Sequence, residues 1–154
     1  MSHRHVALIR GINVGRAKRV AMPDLRKLVE ALGYGDVRTL LNSGNVVFTG
    51  PASAAKGSAV RIEKAMTARL GVSARVTVLT AAELASVVAD NPLGEAADDP
   101  SRLFVTVLFD AADRKRLLPL ARQDWKPEVL AVGARAAYVW CPRGMIESRL
   151  AAAV

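Results

Sequence analysis

The sequence contains little cysteine and histidine, and this scarcity excludes two common ways of stabilising a small fold. Cys141 is the only cysteine among 154 residues, so no internal disulfide framework can form. With His3 and His5 as the only histidines, the ligands for a structural zinc site are also missing. A chain of this length that is 51% hydrophobic can bury a core without such staples. We therefore expect one ordinary domain or two small ones, with no cofactor.

Long apolar runs are missing as well. No segment of about 18 consecutive apolar residues occurs, so the sequence has no candidate transmembrane helix. The apolar run at residues 6–9 ends at Arg10 and is too short for the core of a signal peptide. We therefore expect a cytoplasmic protein with no membrane partner.

Charge is distributed unevenly along the chain. Residues 1–77 hold 13 basic and four acidic side chains, whereas residues 78–154 hold nine basic and ten acidic ones. Residues 10–19 carry four basic side chains and no acidic one. This asymmetry indicates an anionic partner for one face. The alternative is a generally arginine-rich surface, because arginine accounts for 16 of the 22 basic residues.

Hydrophobic spacing predicts the element order βαββαβ in the first half, which is typical of a ferredoxin-like unit. The predicted strands and helices lie at residues 5–9, 23–32, 37–41, 46–49, 59–70 and 75–79. A hairpin turn is predicted at residues 42–45, and a loop at residues 50–58 because small residues are frequent there.

The second half repeats most of this order. A linking helix begins at Thr80 with capping-box spacing, and an acidic loop follows at residues 95–100. Strands and helices are then predicted at residues 103–109, 110–118 (ending at Pro119), 129–132, 136–140 and from Gly144 onward. We infer an α+β fold of tandem ferredoxin-like units with mainly antiparallel sheets. Residues 1–79 form the first unit, 80–101 the linking helix and acidic loop, and 102–154 a second, incomplete unit.

The first strand leads into a segment rich in glycine and positive charge, residues 10–18, which we call the glycine loop. Glycines permit positive φ angles, so the loop amides can surround an anion, and arginine grips phosphate or carboxylate in a bidentate manner. The spacing matches neither a Walker loop nor a dinucleotide fingerprint, and the alternative is a tight connection whose glycines serve packing. The predicted ligand contacts are Arg10, Gly11, Asn13, Gly15, Arg16 and Lys18.

The hairpin turn is the second predicted contact region. Ser43 and Asn45 offer polar groups to a ligand, and the alternative is a purely structural turn. We expect no contact between this turn and the glycine loop of the same half. A ligand at the turn would then be shared with the other half or with a second subunit.

These two segments belong to a longer pattern: Arg10-Gly11-Ile12-Asn13-Val14-Gly15, Met22, Leu25-Arg26, Ser43-Gly44-Asn45-Val46, Tyr138, Pro142, Gly144 and Ser148-Arg149-Leu150. The pattern resembles the bacterial family named domain of unknown function 1697, over essentially the whole chain. The resemblance implies a tandem ferredoxin-like α+β fold and supplies no activity. Residues 16–18 depart from the family, which usually has a further glycine after Gly15, and an Arg-Asn-Trp segment usual past Leu150 is absent.

Signals for catalysis or a metal are weak. We interpret His3 and His5 as part of a solvated terminus, and Cys141 as a buried, inert thiol. Asp24 and Glu30 are the only acids near the glycine loop in sequence, so whether the protein is an enzyme stays open.

The leading hypothesis is a domain that binds a phosphorylated or other small anionic ligand through the glycine loop. One alternative is sequence-independent nucleic-acid binding by the basic half, through phosphate contacts only. A base-stacking platform is not predicted, because only Tyr34 and Phe48 of the seven aromatic residues lie in that half. Two further alternatives are an enzyme acting on a small phosphorylated substrate and a homodimer formed through the neutral, aromatic half.

Overall fold

The chain folds into two compact units, Met1–Ala85 and Ser86–Val154. They are seen in a computed structural model that describes residues 2–13, 16, 18–94 and 98–154. Each unit combines helices with an antiparallel sheet, so the α+β class expected from the sequence is confirmed. The finer division at residues 79 and 102 stays a prediction. Among the described helices, none is both long and apolar enough to cross a membrane.

The first unit contains a four-stranded sheet and two helices. Its elements are β1 (His3–Ile9), α1 (Met22–Ala31), β2 (Gly35–Leu40), β3 (Asn45–Gly50), α2 (Ala54–Leu70) and β4 (Val76–Thr80). The strands lie in the order β2-β3-β1-β4, and every neighbouring pair is antiparallel. This is the element order that the hydrophobic spacing predicts, with β1 in the interior of the sheet.

One face of this sheet forms a core with α1 and α2. Leu25, Leu28 and Val29 follow the i, i+3, i+4 spacing of a helix face, and all three are buried. On α2, Ile62 and Met66 are buried in the same core, one helical turn apart. The strands contribute Ala7, Ile9, Val37, Val46, Phe48 and Val76.

α2 begins earlier than expected, so the loop predicted at residues 50–58 is wrong. The helix starts at Ala54, and the Ser58 hydroxyl donates a hydrogen bond to the Ala54 carbonyl. A Cβ atom on Gly50 would lie 3.0 Å from Tyr34 Cδ1 and 3.3 Å from Ala54 Cβ. Small residues here permit close packing of the start of α2, whereas composition alone indicates a loop.

His5 is also placed differently from the expectation of a solvated terminus. It lies in the interior strand β1, is 1% exposed, and stacks on Phe48 with ring centroids 5.4 Å apart. Its Nδ1–H donates to the His3 carbonyl at 3.0 Å. His5 is paired with β3 on one side and with β4 on the other, whereas His3 is paired with β3 alone. His5 therefore lies in the interior of the sheet, and His3 lies near its edge.

The helix α3 (Ala81–Ala89) follows β4 and spans the boundary between the two units. The capping box predicted at its start is present. The Thr80 N–H donates to Glu83 Oε1, and the Glu83 N–H donates to Thr80 Oγ1, both at 3.1 Å. These reciprocal bonds satisfy two amides that the helix itself leaves without partners.

The second unit contains a three-stranded sheet. After the 3₁₀ turn Pro100–Arg102 come β5 (Leu103–Val107), α4 (Ala111–Ala121), β6 (Val129–Val132), β7 (Ala136–Trp140) and α5 (Arg149–Ala153). The strand order β5-β7-β6 corresponds to β1-β3-β2 of the first unit. The Tyr138 hydroxyl donates to the Val87 carbonyl at 2.6 Å, and burial, with Asp90 acting in the same direction, raises the pKa of this tyrosine.

Two helix predictions in this unit are wrong at their ends. α4 continues past Pro119 to Ala121, because a proline near the end of a helix removes few of its hydrogen bonds. The last helix begins at Arg149 instead of Gly144, and the Ser148 side chain caps it by accepting from the Ala151 N–H. The preceding segment forms turns, with Gly144 at φ +94°.

Replacing Gly57 tests the early start of α2. Gly57 is exposed, and open space surrounds the position of a Cβ atom. Alanine is more favourable than glycine inside a helix, so Gly57→Ala should raise the free energy of unfolding by about 0.5–1 kcal/mol in urea titrations followed by circular dichroism. Gly50→Ala, whose Cβ would crowd Tyr34, is the matched control without this gain. A destabilised Gly57→Ala protein would contradict a helix at this position.

Candidate functional site

The glycine loop and the hairpin turn lie side by side at one end of the first sheet. β1 and β3 are antiparallel, with Leu8 opposite Asn45, so the end of β1 meets the start of β3. The Ile9 N–H donates to the Gly44 carbonyl at 2.9 Å. The expected separation of the two segments is therefore wrong, because the antiparallel register brings them together within one unit.

Gly44 makes this close approach sterically feasible. A Cβ atom at this position would lie 2.8 Å from Ile12 Cδ1 and 3.0 Å from Ile9 Cβ. The residue also has φ +94°, in the region that favours glycine. Ile12 is buried beneath the turn, so the backbone of the turn packs directly on the loop.

The side chain of Asn13 closes the loop and joins it to the turn. Its Nδ2 donates to the Val20 carbonyl at 2.8 Å and to the Asn42 carbonyl at 2.7 Å, while its Oδ1 accepts from the Val20 N–H at 2.8 Å. The backbone N–H of Asn13 donates to the Lys18 carbonyl at 3.0 Å. Both amide protons and the amide oxygen are thus engaged, which gives this predicted ligand contact an internal structural role.

Four exposed cationic side chains surround this arrangement: Arg10, Arg16, Lys18 and Arg19. In the part of the chain that the structure describes, none of them forms an ion pair. Three other arginines of this unit do pair with acids. Arg4 and Arg38 lie 3.5 and 3.4 Å from the Asp36 carboxylate, and Arg26 lies 3.1 Å from Glu30. Positive charge is therefore concentrated at the glycine loop without internal neutralisation.

The backbone of Arg75, a residue that the sequence analysis missed, also reaches the start of the glycine loop. The Arg10 N–H donates to the Arg75 carbonyl at 2.9 Å, because Ile9 lies opposite Val76 in the β1–β4 pair. The position of Arg75 just before β4 is the signal that could have identified it, once β4 is paired with β1 as in a ferredoxin-like sheet.

The remaining predicted ligand contacts differ in whether their polar groups are exposed or engaged within the turn. Asn45 Nδ2 donates to the Leu40 carbonyl at 3.1 Å and to Ser43 Oγ at 3.0 Å, so this amide stabilises the turn. Ser43 is exposed, as is Gly11, which has φ +74°. Gly15 lies outside the described residues.

Among the described residues, left-handed backbone at residues other than glycine is concentrated in the glycine loop and beside the hairpin turn. Asn13 and Lys18 in the loop have φ of 56° and 52°, Leu41 directly before the turn has φ of 60°, and the fourth described case is Asp36 in β2. Such conformations cost roughly 1–3 kcal/mol and persist only where surrounding structure determines them. At Asn13, the hydrogen bonds of the side chain to Val20 and Asn42 hold the backbone in this conformation.

The acids considered as catalytic groups have structural roles. Glu30 is paired with Arg26, and Asp24 lies in the first turn of α1, where a negative charge complements the helix dipole. Within the described residues, no three His, Cys, Asp or Glu side chains are placed to hold a metal ion. The loop therefore presents cations and hydrogen-bond donors, which are the groups needed to bind an anion.

A second group of polar side chains lies in the second unit. Cys141 is buried as predicted, and its Sγ lies 3.5 Å from Ser148 Oγ, which in turn bonds the Glu128 carboxylate. Burial raises the pKa of the Cys141 thiol; Ser148 opposes the shift and Glu128 reinforces it. The thiol is therefore a neutral group rather than a nucleophile. Glu128 and Ser148 are 20 positions apart, so no local sequence pattern indicates the hydrogen bond between them.

Substitutions at Asn13 test its role as the connection between loop and turn. Asn13→Ala removes every side-chain bond to Val20 and Asn42, so the free energy of unfolding should fall by about 1–3 kcal/mol. Asn13→Asp keeps the acceptor for the Val20 N–H and tolerates positive φ, but it sets a carboxylate oxygen against the carbonyl oxygens of Val20 and Asn42, so its loss in urea titrations should be at least as large. Asn45→Ala, which removes only exposed bonds, is the control. An Asn13→Ala protein as stable as this control would disprove the connection.

Comparisons with known proteins agree with this architecture. The sequence model of one family matches residues 2–138. A solved structure, that of the conserved bacterial protein SP0830 from Streptococcus pneumoniae, is similar with a TM-score of 0.71. It is 24% identical, and the alignment covers 91% of this chain and 77% of that chain, which shows the fold alone. No curated protein matches the chain. Since the matched region includes the glycine loop and the hairpin turn, the chain belongs to the family described as protein of unknown function (DUF1697).

Proposed function

We propose that the first unit binds a phosphorylated or otherwise anionic small ligand at the glycine loop. The observation that carries this proposal is the group of exposed cations at Arg10, Arg16, Lys18 and Arg19, none of which pairs with an acid among the residues that the structure describes. In the same segment, the side chain of Asn13 is held by hydrogen bonds to Val20 and Asn42. Such bonds reduce the entropy that these residues lose when a ligand binds beside them.

Side chains, more than backbone amides, carry the recognition in this proposal. The amides of Arg10 and Asn13 already donate to the carbonyls of Arg75 and Lys18. These two amides are therefore not available to surround an anion. Guanidinium groups bind phosphate or carboxylate with two parallel hydrogen bonds, so Arg10 and Arg16 are the main proposed contacts and Lys18 adds a point charge.

A triple substitution tests the proposal directly. The wild-type protein is screened by thermal shift with inorganic phosphate, pyrophosphate, nucleotides and sugar phosphates, and the strongest probe is then titrated calorimetrically. The variant Arg10→Ala/Arg16→Ala/Lys18→Ala should bind this probe at least roughly tenfold more weakly, since charge-assisted hydrogen bonds are lost.

The matched control removes the same charge elsewhere in the unit. Lys56→Ala/Lys64→Ala/Arg69→Ala alters three exposed cations on α2. This variant should bind the probe as the wild type does, because it loses the same net charge as Arg10→Ala/Arg16→Ala/Lys18→Ala, the loop variant, but keeps the loop intact. Equal weakening in both variants would mean a general charge effect. Unchanged binding in the loop variant would exclude the loop as the site.

Nucleic acid is the alternative ligand, and the excess of 13 basic over four acidic residues in residues 1–77 favours it. Binding to phosphates releases counterions, so affinity for duplex DNA falls with salt, with a slope in log–log form of about −0.9 per phosphate contact. Fluorescence anisotropy over a range of salt should then show the loop variant with a slope shallower by about three units. Absence of binding to single-stranded and duplex oligonucleotides at low salt would exclude this alternative.

A further inference from the structure

The second unit contains a cleft of about 300 Å³ that is separate from the proposed anion site. β6 and β7 are antiparallel, with Val129 opposite Trp140, so the chain before β6 and the chain after β7 leave the sheet at the same end. Residues 124–128 line the cleft from the first of these segments, and Arg143, Gly144 and residues 147–149 line it from the second. Both walls of the cleft therefore belong to this unit.

Glu128 is held in a defined position in the lining of the cleft. The hydroxyl of Ser148, which is 7% exposed, donates its single proton to Glu128 Oε2. The same oxygen of Ser148 accepts from the Ala151 N–H at 2.9 Å and from the Cys141 thiol at 3.5 Å. A hydroxyl has one proton and two lone pairs, so this serine is fully engaged and fixes the carboxylate.

The charge of Glu128 has no counter-ion in the part of the second unit that the structure describes. Its partners there are neutral, since the Cys141 thiol stays protonated and Ser148 is a hydroxyl. Asp36, which lies near the start of β2 much as Glu128 directly precedes β6, instead has Arg4 and Arg38 within 3.5 Å. A half-buried carboxylate without a cation is unfavourable, so a cationic group of a ligand would be stabilised beside it.

Trp125 provides a second group suited to a cation. It lines the same cleft, and its Nε1–H donates to the Leu120 carbonyl at 2.7 Å, which fixes the indole ring. The face of an indole attracts ammonium groups. Glu128 and Trp125 together form a subsite for an ammonium group.

The other wall of the cleft carries the opposite charge. Arg143 and Arg149 are exposed, and neither forms an ion pair with any residue that the structure describes. Guanidinium groups of this kind bind carboxylates. Further side chains of both signs, Asp124, Lys126 and Glu147, complete the lining.

We propose that this cleft binds a small zwitterion of the α-amino acid class. Its ammonium group lies at Glu128 and Trp125, and its carboxylate lies at Arg143 and Arg149. The volume is at the lower end of the range for ligand pockets, which suits a molecule of amino-acid size.

The first experiment screens each standard amino acid against the full chain at millimolar concentration, by thermal shift and tryptophan fluorescence. The best binder is then compared by calorimetry with its deaminated acid and its decarboxylated amine. We expect both analogues to bind at least roughly tenfold more weakly, because each lacks one charge. The proposal is overturned if no amino acid binds, or if either analogue binds as tightly as the amino acid.

Two variants locate the site. Glu128→Gln keeps the size of the side chain and an acceptor for Ser148, and it should weaken amino-acid binding at least roughly tenfold while leaving circular dichroism unchanged. Glu30→Gln removes an exposed carboxylate from α1 and should leave binding unchanged. Arg143→Gln alters an exposed side chain without internal bonds, so it tests the carboxylate subsite even if Glu128→Gln does not fold. Full affinity in Arg143→Gln, or in a folded Glu128→Gln protein, refutes the proposal.

Discussion

The contact between the glycine loop and the hairpin turn determines the geometry at the end of the first sheet where the proposed anion site lies. It has a polar part, in which Asn13 bonds Val20 and Asn42, and a steric part, in which Gly44 leaves room for Ile12. The polar part satisfies every proton and the oxygen of one amide, and a group engaged in this way is costly to displace. The steric part requires glycine at position 44, because a Cβ atom there would collide with Ile12. Together they hold Ile12, Asn13 and Val20 in defined positions beside the turn.

The charge of the glycine loop has an electrostatic consequence. Arg10, Arg16 and Lys18 lie on one segment without acidic partners among the described residues, so their mutual repulsion opposes the compact state. Exposure to water keeps this repulsion small, which is why the fold tolerates it. The proposed anion site depends on this exposed positive charge.

The sequence predicted the positions of strands and helices better than the burial of individual residues and the contacts between distant segments. Apolar runs around a glycine turn gave β6 and β7 their observed bounds, because strand alternation and turn chemistry are local properties. Residues 50–58 were predicted as a loop, since small residues indicate flexibility when their packing against Tyr34 is unknown. The burial of His5 and the contact between loop and turn depend on which strands are neighbours. That information is not contained in any short window of sequence, although the antiparallel register follows once the ferredoxin-like order is accepted.

The two units share the order of three strands, but among the described residues they leave opposite charges without ion pairs. In the first unit Asp36 is neutralised by Arg4 and Arg38, and cations remain unpaired at the end of β1. In the second unit the carboxylate before β6, Glu128, is held by a neutral hydroxyl and lines a cleft. Asp36 and Glu128 thus occupy corresponding positions in the two units, and they differ in their counter-ions. Both proposals rest on these local charge balances and not on the fold, which many unrelated activities share.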